Sequence, residues 1–184
     1  MKIENVFKVF FVSIKISEAN FIRFVEDHLQ RLIANNPGGA YATLISALTT
    51  LMKNLMTAID QRNIHQAWQE SRTASVDQLI AEFKTMMSRL HTSITDIWDE
   101  NHAYYEEFFP RGLEEYTTCT KGNIVSLMNR FIAACDARST LLPTGIADGL
   151  IALKATYETS RSNQLGMIGS TDGNRVDVAD ARQA

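Results

Sequence analysis

Two stretches decide the fold: AYATLISALTTLMKNLMTAID (residues 40–60) and SVDQLIAEFKTMMSRLHTSITDIW (residues 75–98). In the first, Tyr41, Leu44, Ile45, Leu48, Leu51, Met52, Leu55 and Ile59 recur at spacings of three and four. In the second, Val76, Leu79, Ile80, Phe83, Met86, Met87, Leu90, Ile94, Ile97 and Trp98 do the same. That period puts the apolar side chains on one face of an α-helix. The pattern slips after Ile59, and Ser75-Val76-Asp77-Gln78 reads as a capping box opening a new helix. The spacing therefore predicts two long helices, 40–70 and 75–109. They are joined by a short turn, so they lie antiparallel, and Pro110 ends the second.

Working outward, Ser17 is an expected N-cap for a helix carrying Phe21, Phe24, Val25, Leu29, Leu32 and Ile33. The run Asn35-Asn36-Pro37-Gly38-Gly39 stops it. Residues 110–122 read as a connector. Asn123 opens a helix with the stripe Ile124, Leu127, Met128, Phe131 and Cys135. After the loop 139–143, Thr144 opens a last helix bearing Ile146, Leu150, Leu153 and Tyr157 that ends near Gly166. Residues 1–16 fit both an alternating strand and a helical face, and are read as a short extended segment docked on helices. The expectation is an all-α helical bundle of about five helices with two long antiparallel ones. A single domain spans 1–166, and a polar, glycine-containing tail spans 167–184.

Composition limits the function classes. Apolar residues make up 45% of 184, enough for a packed core. A net charge of −3 and scattered basic residues disfavour nucleic acid. The apolar stretch 6–16 is interrupted by Lys8 and Lys15 and is too short for a membrane span. Cys119 and Cys135 match no zinc spacing and read as reduced thiols of a cytoplasmic protein, Cys135 in the core and Cys119 in a polar connector. No phosphate loop, nucleophile elbow or zincin motif occurs, so neither an enzyme nor a cofactor is expected.

Three groups of residues stand out. Opposite the apolar stripe of 40–60 lie Thr43, Ser46, Thr50, Lys53, Thr57 and Asp60, hydroxyls where a wetted helix carries Lys, Glu and Arg. That face is a candidate interface with a second copy or another protein, or else is buried inside the bundle. The stretch 96–116 interleaves acids with aromatics, with Trp98, Glu100, Tyr104, Tyr105 and Glu107 as a candidate surface for a basic partner. Within it, Asp99, His102 and Glu106 are spaced to share a metal on one helix face. A two-metal bundle needs a second Glu-x-x-His pair, and none exists. The reading is a non-enzymatic, self-associating interaction protein; the alternative is a bundle binding a small ligand or metal near Asp99, His102 and Glu106.

Overall fold

The computed structural model describes residues 16–183 and is an all-α helical bundle, with no strand among those residues. Six helices follow in order: α1 (Glu18–Ala34), α2 (Ala42–Thr95), α3 (Ala103–Phe108), α4 (Glu114–Thr117), α5 (Ile124–Ala137) and α6 (Asp148–Gln183). The alternating pattern of residues 1–15 lies outside the described residues. The chain divides into two compact units. Among the described residues, the first holds 16–68 and 168–183, and the second holds 69–167.

In the first unit, Ser17 caps α1 as expected, its hydroxyl accepting from the Asn20 amide at 3.3 Å. After Asn35 the chain turns through a 3₁₀ segment, Pro37–Gly39, and the Asn36 side chain accepts from the Tyr41 amide at 2.7 Å. Gly38 and Gly39 take positive φ, which is why glycines fill this turn. α1 then runs back along α2, and Arg62 grips Glu18 through two bonds of 2.6 and 3.0 Å. The end of α6 completes the unit. Leu55, Ile59 and Val178 form a small buried cluster, with Phe21, Ile22, Ala58 and Ala181 packed against it.

The second unit carries the main core. Val76, Phe83, Met87 and Ile94 of α2 meet Ile124, Met128 and Phe131 of α5 and Leu150 and Tyr157 of α6, all fully or almost fully buried. The rings of Phe108, Phe109 and Tyr116 surround Phe131 at centroid distances of 5.3, 5.7 and 6.2 Å. The Tyr116 hydroxyl donates to the Phe108 carbonyl at 2.6 Å, satisfying the one polar atom that this aromatic cluster buries. Gly145, at φ 80°, opens the turn into α6, and a Cβ there would meet the Asp148 carboxylate at 2.9 Å.

The two long antiparallel helices exist, but they are α2 and α6. In the second unit Thr73 faces Gln164; in the first, His65 faces Ser170 and Leu55 and Ile59 pack with Val178. The expected turn at 70–75 is absent, because α2 continues unbroken through Ser75 to Thr95. The slip in its apolar pattern marks a polar stretch of the helix and not its end. Thr73 accepts a 2.8 Å bond from the Gln164 amide, and His65 Nδ1 lies 3.0 Å from the Ser170 hydroxyl. No glycine or proline interrupts 40–109, and extending a formed helix costs less than starting a second.

α2 also stops earlier than expected, at Thr95 rather than Phe109. Asp99 accepts from the Asn101 amide at 2.9 Å, and His102 Nδ1 caps α3 by accepting from the Tyr104 amide at 3.1 Å. Residues 167–183, expected as a tail, are the last part of α6, with Thr171 and Val178 buried. In place of the single domain expected over 1–166, the described residues group into two compact units, the first joining 16–68 with 168–183 and the second holding 69–167.

Candidate interaction surface

Thr43, Ser46, Thr50, Lys53, Thr57 and Asp60 are all exposed. The burial alternative for this face is therefore not what the structure shows. Thr50 turns its hydroxyl onto the Ser46 carbonyl at 3.0 Å, which spends its hydrogen bond on the helix itself and leaves methyl groups outward. The face extends further than the spacing suggested: Ile64 and Trp68 continue the same period, at 41% and 52% exposure, and Met56 borders it at 43%.

The apolar stripe of α2 is itself only partly covered. Leu55 and Ile59 are buried, but on the same side Leu51, one turn before Leu55, and Leu44, about three turns before it, are exposed. Tyr41 beside them and Phe24 and Ile33 on α1 are also exposed. Among the described residues, nothing buries this end of the α1–α2 hairpin. By length and composition α2 contains a window apolar enough to cross a membrane, and 11% of that window is buried. Segment 42–68 carries three formal charges, Lys53, Asp60 and Arg62. Arg62 is consumed by Glu18; among the described residues neither Lys53 nor Asp60 forms an ion pair.

The acidic-aromatic stretch is organised differently. Tyr105 is buried and its hydroxyl lies 2.9 Å from His91 Nε2, while the exposed Glu100 stands 3.8 Å from the same nitrogen. Burial, and to a lesser degree the Glu100 charge, push the Tyr105 phenol above its ordinary value. Trp98 stacks on Phe108 and His102 and meets Tyr104 edge-on. Glu107 is gripped by Arg138, whose guanidinium also lies 3.9 Å from the Tyr104 ring centroid. Glu115 takes bonds of 3.0 and 2.7 Å from Arg130, which hold its carboxyl below the usual range. Glu107 and Glu115 are thus answered from α5 and its C-cap, whereas Glu100 stands beside His91 of α2 and Glu106 is exposed; the aromatics pack at a core edge. Arg130 and Arg138, the residues that close this region, lie outside the acidic stretch and gave no local signal.

Asp99, His102 and Glu106 are not brought together as a ligand set. Asp99 and His102 Nδ1 are both engaged with backbone amides, and Glu106 is exposed. Among the described residues no group of three His, Cys, Asp or Glu side chains is placed to hold a metal. Both cysteines are buried, Cys119 included despite its polar sequence neighbours. Burial raises both thiols, Cys135 to about 11, so neither carries the thiolate a nucleophile needs. Comparison with protein-family models, curated proteins and solved structures gives no match to this chain.

Proposed function

We propose that this chain is a non-enzymatic assembly protein that associates with itself through its first unit. One observation carries the reading: that unit leaves Tyr41, Leu44, Met56, Ile64 and Trp68 more than 40% exposed on a segment with almost no charge. Of these, Met56, Ile64 and Trp68 lie on or beside one face of α2; apolar side chains grouped in this way mark association surfaces, and the aromatic and methionine content is that of an interface core. The same segment is amphipathic, with Leu55 and Ile59 packed inward, which favours a protein partner over a span in lipid. Sedimentation of the full chain between about 1 and 100 µM, a range that brackets micromolar association, tests the reading. A mass that rises to a defined multiple of 20.7 kDa is expected. A folded species that stays at that mass throughout contradicts it.

A further inference from the structure

We infer that the outer face of α2 pairs with the same face of a second copy, antiparallel, with Lys53 of each copy against Asp60 of the other. The inference rests on the self-association reading and adds the geometry of the contact. Between Ser46 and Trp68 this face is hydroxyl, apolar and, at Gln61, amide, except for two charges, Lys53 and Asp60, of opposite sign and both exposed. They stand seven residues apart, about 10 Å along a helix, too far to pair within one copy. A parallel, in-register pair would set Lys53 against Lys53 and Asp60 against Asp60. A two-fold axis between residues 56 and 57 sets each Lys53 against the partner's Asp60, twice over, as an isologous interface requires. Met56 and Thr57 then sit at the axis, where the Thr57 methyl allows close approach. Ile64 and Trp68 lie outside the charge pairs and bury apolar surface there. A lipid-facing helix would carry Lys and Arg along its polar border, and this face has a carboxylate in that place.

Charge reversal on the full chain tests the pairing, with circular dichroism confirming that each variant stays helical. Lys53→Glu alone and Asp60→Lys alone are each expected to weaken association by about tenfold or more, and the double exchange to restore it to within about threefold. Cysteine crosslinking gives a second readout, because both native thiols are buried. Thr57→Cys should form an intermolecular disulfide, whereas Ser46→Cys should not, since antiparallel pairing separates the two copies of residue 46 by about 30 Å. A wild-type chain that associates but ignores both reversals, or that crosslinks equally at both positions, overturns the pairing while leaving self-association standing. A wild-type chain that remains monomeric, or that instead cosediments with phosphatidylcholine vesicles, overturns both.

Discussion

The two units use the same pair of long helices, α2 and α6, yet differ in what covers them. In the second unit, α3, α4 and α5 close over α2, and an aromatic cluster fills the space between them. In the first, α1 is the one further helix among the described residues, and the buried cluster is three residues with a thin apolar margin. The second unit exposes Ile97, Leu141, Ile151 and Leu165 beside a large filled core; the first exposes more large apolar side chains beside a much smaller one. Burial of a leucine-sized side chain contributes roughly 1.5–3 kcal/mol, so the exposed residues of α2 represent stabilisation that only a further surface can supply. Unused apolar area is the physical content of the first unit.

Mutations that empty a side chain should separate the two units most sharply. Phe131→Ala removes the ring at the centre of the second unit and should cost about 3–5 kcal/mol in chemical denaturation. Ile64→Ala should change monomer stability by less than about 0.5 kcal/mol, because its side chain already faces water. If the two variants lose similar stability at concentrations where the chain is monomeric, the contrast between the two cores is wrong.

A smaller effect probes what holds the edge of the second unit. Arg130 depresses the Glu115 carboxyl. A carboxylate lowered in the folded state contributes stability that is fully present above its unfolded value, about 4.3, and is lost as pH falls through the lower folded value. Glu115→Gln should therefore cost about 1–2 kcal/mol at pH 7, a figure kept low because the pair is partly solvated. The gap to the wild type should narrow below about pH 4. A gap that does not change between pH 7 and pH 3 would assign the loss to packing instead of charge.

Much of this contrast was readable in the residues. Ser17, the Pro37-Gly38-Gly39 turn and the stripe of α5 act through neighbours in sequence, and each was legible from local spacing. The hydroxyl face from Thr43 to Thr57 was legible too, and its exposure removes the reading in which the bundle buries it. What local spacing could not reveal depends on partners far along the chain. His65 and Thr73 look like a break in the apolar pattern until Ser170 and Gln164 are placed against them, roughly a hundred residues away. Glu107 and Glu115 look available until Arg138 and Arg130 are placed against them. Gly166, Gly169 and Gly173 make the end of α6 read as a tail, since each costs about 0.5–1 kcal/mol of helix relative to alanine. Burial of Thr171 and Val178 offsets part of that cost, and this is a tertiary effect that composition hides.

Amide hydrogen exchange at low and high protein concentration measures the difference between the units directly. If the first unit is completed by a second copy, exchange across 42–68 should slow as concentration rises from about 1 to about 100 µM, while 76–94 and 124–135 hold their rates. Protection in both segments that is equal and independent of concentration would contradict the account.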